Sequence, residues 1–140
     1  MPVDLKGADE LKEHIVTQEV PDSPFKHDIM KGQTVLITGG ASGLGLEMAR
    51  DFARHGANLI IMGRRQNFLD DAVEEIKKAF PGVVVDSFSG DVRSEESAKG
   101  AIAKAVAVGG GLDVLVNSAA GNFLSTAEMY AFKHFLKISS

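Results

Sequence analysis

From Gln33 onward the chain alternates short apolar runs with longer amphipathic ones. The run TVLIT at 34–38 is β-branched and apolar, as a parallel strand buried on both faces must be. Residues 43–55 read as a helix with Leu44, Met48 and Phe52 on one face, and Gly56 stands where a left-handed cap belongs. ANLIIM at 57–62 is a second strand. Across 67–80, Leu69, Ala72, Val73, Ile76 and Phe80 recur at helical spacing, Glu74, Glu75, Lys77 and Lys78 fill the wet face, and Pro81-Gly82 ends the helix. A third strand is predicted at 83–88. Ser94 then caps a helix whose first turn carries Glu95 and Glu96, where carboxylates complement the helix dipole, and which stops at Gly109-Gly110-Gly111. LDVLV at 112–116 is the fourth strand, and 126–138 predicts a last helix.

Strands alternating with helices in this order predict an α/β fold with a parallel sheet covered on both faces. Right-handed crossovers in strand order 3-2-1-4 make it the first half of a Rossmann-type, doubly wound sheet. Residues 1–32 read as an N-terminal leader, broken by Pro21 and Pro24, with only 11–16 able to form a short helix. The dinucleotide-binding domain is placed at 33–140.

Composition narrows the chemistry. At 140 residues, 44% hydrophobic and 24% charged, the chain has the balance of one globular domain. A net charge of −4 argues against nucleic acid or anionic lipid as partner. Without cysteine there are no disulfides, thiolate metal sites or cysteine nucleophiles, and His14, His27, His55 and His134 lack ligand spacing, so no metal site is expected. No apolar run is long enough to span a bilayer. The acidic start MPVDLKGADELKEHIV resembles neither a secretory signal nor a transit peptide, and Lys137-Ile138-Ser139-Ser140 is not a peroxisomal address, so the residues alone predict a soluble intracellular protein, cytoplasmic by default.

The run Thr38-Gly39-Gly40-Ala41-Ser42-Gly43-Leu44-Gly45 lies between the first strand and the first helix. An open α/β sheet binds its ligand at that end of its strands, and a diphosphate there needs backbone N–H groups with no Cβ in the way. Gly39 is assigned to the tight turn, Gly43 to close approach of backbone to phosphate, and Gly45 to packing of helix on strand. Without Gly-Lys-Ser/Thr the loop is not a P-loop.

This TGxxxGxG spacing resembles the fingerprint of the short-chain dehydrogenase/reductases. Two further segments are similar to that family's: Asp91-Val92 after the third strand, and Asn117-Ser118-Ala119-Ala120-Gly121 after the fourth, with Ser118 where the family usually has a second Asn. The resemblance covers about 31–124 and implies a cofactor site of Thr38, Gly39, Ser42, Gly43, Leu44, Gly45, Asp91, Val92, Asn117, Ala119 and Gly121, with Asp91 on the adenine amino group. Read as residues alone, Asp91 could be only a turn former, although its place at a strand's carboxyl end favours binding, and Asn117 could be a brace for the sheet.

At the end of the second strand, where an NAD site places an acid, the chain reads Gly63-Arg64-Arg65, with no carboxylate before Asp70. Arg64 and Arg65 are assigned to a ribose 2′-phosphate, which makes the expected cofactor NADP(H); the plainer reading is a solvated pair of arginines. The run AAGNF at 119–123 and the lead-in FKHDIMKG at 25–32 resemble the peroxisomal type of 2,4-dienoyl-CoA reductase. That resemblance implies an acyl-CoA substrate, reduced from the 2,4-dienoyl to the trans-3-enoyl thioester during fatty-acid β-oxidation. It further implies a peroxisomal setting, a homo-oligomeric full-length protein, and substrate contacts at Asn122 and Phe123. An amide donor near the thioester oxygen would stabilise the charge that develops on hydride addition.

One departure limits the resemblance. The family's catalytic Tyr and Lys stand four residues apart, whereas the one tyrosine here, Tyr130, has Lys133 at three and His134 at four. No catalytic residue is therefore assigned, and the family's later strands are expected to lie outside these residues, leaving strand four as a bare apolar edge. A fragment of a longer enzyme is the favoured expectation. The alternatives are another short-chain oxidoreductase, such as a 3-ketoacyl-thioester reductase, and a catalytically silent nucleotide-binding module.

Overall fold

The computed structural model describes residues 24–120. Seven elements follow in strict alternation: β1 Thr34–Thr38, α1 Gly43–Arg54, β2 Asn58–Gly63, α2 Gln66–Ala79, β3 Val85–Ser89, α3 Glu95–Gly109 and β4 Val114–Asn117. The sheet is parallel throughout, in the order β3-β2-β1-β4. This is the Rossmann-type half sheet that the residue pattern predicts, with each boundary within two residues of expectation. The helix expected at 126–138 and the short one at 11–16 lie outside the described residues.

Side chains alternate across the two central strands and fill two cores. Val35, Ile37, Leu59 and Ile61 point to the face covered by α1 and α2, where Ala49, Ala53, Leu69, Ala72 and Ile76 meet them. Leu36, Ile60 and Met62 point the other way, onto Ala101 and Ala105 of α3. Burial on both faces explains why these strands read as unbroken apolar runs. Each fully buried Ile or Leu among them contributes about 1.5–3 kcal/mol.

Helices α1 and α3 approach the sheet through small residues, and here one expectation fails. The buried line of α1 is Gly45, Ala49 and Ala53, not the Leu44, Met48 and Phe52 face. Met48 and Phe52 flank the core, and Leu44 is 80% exposed. Close packing decides this: narrow side chains fill the contact line of α1, whereas α2 stands on the sheet through Leu69, Ala72 and Ile76. On α3, a Cβ at Gly109 would stand 1.7 Å from Thr34 Oγ1, so only glycine lets this helix end rest on the start of β1. Both caps of α3 are as predicted: Ser94 accepts the Ser97 N–H at 3.2 Å, and Gly110 ends the helix at φ 80°.

The stretch before β1 folds against the far end of α1. Met30 N–H donates to the His55 carbonyl at 3.0 Å, and His55 Nδ1 lies 2.9 Å from the Lys26 carbonyl oxygen. This seam sits at the amino ends of the strands, opposite the glycine loop.

Candidate functional site

At the carboxyl ends of all four strands the loops enclose a cleft of about 600 Å³. Strand order reverses there between β1 and β4, the place where open α/β sheets bind ligands. The floor is the turn from β1 into α1, formed by Gly39, Ala41, Ser42, Leu44 and Gly45. Gly39 takes φ 70°, and its N–H donates to the Met62 carbonyl at 2.7 Å, which fixes the turn on β2. A Cβ on Gly45 would stand 2.2 Å from the Gly39 carbonyl oxygen. The glycine thus lets the start of α1 lie close against the residue that directly follows β1.

Gly43 does not line the cleft; its need for glycine is a φ of 53° at the first position of the helix, with open space around it. Ser42 is the extended N-cap and makes no side-chain cap bond, so its hydroxyl is not engaged with the helix start.

One wall is the segment after β4. Thr38 lies beneath it, 7% exposed and outside the cleft lining. Its Oγ1 accepts the N–H groups of Ser118 and Ala119, each at 3.1 Å, and lies 3.4 Å from the Val116 carbonyl oxygen to which it donates. Thr38 therefore acts by fixing the wall, with Ser118, Ala119 and Ala120 forming the surface. Asn117 pairs with Thr38 in register at the end of β4 and does not line the cleft. Gly121, Asn122 and Phe123 lie outside the described residues.

The opposite end carries the charge. Arg64, Arg65, Asp91, Val92 and Arg93 all line it, and Asp91 is the one acid among the described lining residues. Arg65 rests its guanidinium 3.8 Å from the centre of the Phe68 ring, a contact that orders an otherwise mobile side chain. Arg64 makes no hydrogen bond or ion pair among the described residues, although its charge reaches Asp91. The side chain of Arg93 holds the Asp91 carboxyl well below the usual carboxylate range; its backbone N–H and the charges of Arg93 and Arg64 act in the same direction. The same pairing raises Arg93.

Phe68, Arg93 and Ser118 were missed in the site as read from sequence. Phe68 falls in the first turn of α2, and Arg93 directly ahead of the Ser94 cap. The one available signal for Arg93 was its place two residues after Asp91, within reach of the same carboxylate.

With this geometry in hand, comparison with known proteins is decisive on ancestry. A family model described as short chain dehydrogenase matches residues 33–139. The chain belongs to the short-chain dehydrogenase family. It is 49% identical over 107 residues to a peroxisomal 2,4-dienoyl-CoA reductase [(3E)-enoyl-CoA-producing] of Arabidopsis thaliana, covering 76% of this chain and 35% of that protein. A probable 2,4-dienoyl-CoA reductase [(2E)-enoyl-CoA-producing] of Bacillus subtilis is 42% identical over 99 residues, covering 71% and 38%. The chain thus spans well under half the length of these relatives. Among solved structures, L-sorbose reductase from Gluconobacter frateurii, complexed with NADPH and L-sorbose, matches with TM-score 0.70 and 30% identity over 79% of this chain and 41% of that one. A citronellol catabolism dehydrogenase of Pseudomonas aeruginosa matches with TM-score 0.71 and 32% identity, over 84% and 47%. Family membership and fold therefore agree with the resemblance drawn from the motifs. Among the described residues no helix is long and apolar enough to cross a membrane.

Proposed function

We propose that this chain supplies the NADP(H)-binding half of a 2,4-dienoyl-CoA reductase of the peroxisomal type. The observation that carries the cofactor choice is the arginine-lined end of the cleft. Arg64 follows β2 directly, with no acid beside it in the chain and no partner among the described residues, and the one carboxylate of the described lining is already paired with Arg93. A 2′-phosphate, repelled where an acid closes β2, meets a planar fork of donors here.

The residues fit a dinucleotide. The Gly39–Gly45 approach, closer than any Cβ allows, leaves backbone N–H groups at the start of a 12-residue helix open to a diphosphate. Ser42 and Leu44 border that cradle, Arg64 and Arg65 take the ribose phosphate, and Asp91 with Val92 takes the adenine. Thr38, Gly43 and Asn117 shape the loops, while Ala119 and Gly121 are assigned to the nicotinamide side. When bound, NADPH supplies the hydride that reduces the conjugated thioester. Asn122 and Phe123 are assigned to hold that thioester, Asn122 by donating to its oxygen as negative charge develops. The relatives named as 2,4-dienoyl-CoA reductases support this substrate class, an acyl-CoA. A peroxisomal setting and a homo-oligomeric enzyme belong to the same proposal.

Titration of the chain with NADPH and NADH tests the cofactor choice. Wild type should prefer NADPH at least tenfold, and Arg64→Ala should bring the two affinities together, since a phosphate contact of this kind is worth about 1.5–3 kcal/mol. Equal affinities in wild type would overturn it. One observation favours a second reading: with His134 at the fourth position after Tyr130, these 140 residues hold no Tyr-x-x-x-Lys. A chain that binds NADPH yet consumes it with neither dienoyl-CoA nor 3-ketoacyl-CoA is a nucleotide-binding module.

A further inference from the structure

Arg93 lies two residues beyond Asp91 and turns back onto it. Its backbone N–H donates to Oδ1 at 2.9 Å, its Nε donates to both carboxylate oxygens at 3.1 Å, and its Nη2 donates to Oδ2 at 2.6 Å. No other partner engages Arg93 among the described residues. A single exposed ion pair adds little to stability, and this guanidinium is 80% exposed, so the fold gains little from the arrangement. Its consequence lies in the cleft.

Asp91 is the acid of a lining that otherwise carries only positive charge, and Arg64 is close enough for the two charges to interact. Without a partner, that carboxylate would draw Arg64 toward itself and repel an incoming phosphate. Paired with Arg93 it presents no net charge, and Arg64 and Arg65 remain as the two uncompensated cations. The fork on both oxygens also fixes the plane of the carboxylate at the mouth of the cleft.

We infer that Arg93 is a positioning residue for coenzyme selectivity: by neutralising and orienting Asp91, it leaves Arg64 available to the phosphate on the adenosine ribose. The inference rests on the NADP(H) reading above and adds the residue that makes the phosphate tolerable beside an acid.

The test is a set of NADPH and NADH titrations of the full chain as wild type, Arg93→Ala, Arg93→Lys and the double variant Arg93→Ala with Asp91→Asn. Arg93→Ala should cut the preference for NADPH about tenfold, the order expected of one uncancelled charge a few ångström from a phosphate. Loss of the fork on Asp91, which meets the adenine of both coenzymes, lowers both affinities alike, so the ratio reads the uncancelled charge. Arg93→Lys, which keeps the charge and loses the fork, should fall between. Removing the carboxylate in the double variant should restore the preference, which no purely structural role for Arg93 would do. A preference unchanged in Arg93→Ala, or one that Asp91→Asn does not bring back, overturns the inference and leaves the NADP(H) reading intact. Wild type without a preference takes down both. If Arg93→Ala does not fold, Arg93→Lys and the double variant decide on the same ratios.

Discussion

The two threonines at the ends of β1 offer one substitution with opposite outcomes. Thr38 Oγ1 accepts two backbone N–H groups of the cleft wall at 3.1 Å. Thr34 Oγ1 is buried and, among the described residues, has no hydrogen-bond partner. Valine matches threonine in shape and in strand preference, so Thr→Val isolates the hydroxyl. At Thr38 the change strands the N–H groups of Ser118 and Ala119. Both lie near solvent, so water recovers part of the loss, and a cost of about 1–2 kcal/mol follows. At Thr34 it removes an unsatisfied buried oxygen, a gain of about 1 kcal/mol, trimmed because the larger methyl rests on Gly109. For a domain of this size the Tm should fall by roughly 5–15 °C in Thr38→Val and rise by a few degrees in Thr34→Val. Thermal denaturation followed by circular dichroism reads both, with Thr38→Ser as the control that keeps the acceptor. Shifts of the same sign, or a Thr38→Ser as damaged as Thr38→Val, would show that the hydroxyl bonds do not hold the wall.

Other consequences are open to measurement. Gly45→Ala places a methyl against the Gly39 carbonyl; overpacking of about 1–3 kcal/mol outweighs the gain of up to about 1 kcal/mol in helix propensity, so stability and dinucleotide affinity should fall together. Gly111→Ala, where nothing stands within 4 Å, should change stability by less than about 0.5 kcal/mol in the same denaturation assay. Burial raises the Asp86 pKa, but the Lys104 ammonium at 2.9 Å and the Ser87 N–H at 2.7 Å outweigh it, leaving the carboxyl below its ordinary range. A lowered folded-state value adds stability that is complete above the ordinary carboxylate range and lost as pH falls through the lowered value. Asp86→Asn should therefore flatten the acid limb of a stability–pH profile by about 0.2–1 kcal/mol, and an unchanged limb would show that the link between β3 and α3 contributes nothing.

The order of elements and the sheet topology were legible because they rest on local signals. Short apolar runs rich in β-branched residues and bounded by turn residues read as strands buried on both faces, and the Ser94 and Gly110 caps act within a few residues of themselves. Arg64 could be singled out because its position relative to β2 follows from the strand boundary alone. What the chain order could not convey was how close two elements approach. Beyond Gly45, which its spacing assigned to that contact, it gave no sign that α1 meets the sheet through Ala49 and Ala53 while Leu44 faces the cleft, because the depth of a helix on a sheet depends on the partner surface.

Pattern along the chain thus determined the half sheet, its switch point and the cationic end of the site. Only the tertiary structure decided that Thr38 is a brace and not a wall, that Gly45 answers to the Gly39 carbonyl, and that Asp91 is already held by Arg93. The physical reason is common to all three. Hydrogen bonds and steric limits act over about 3 Å between particular atoms, and residues as far apart as Thr38 and Ser118 reach that range only once the sheet has brought β1 beside β4.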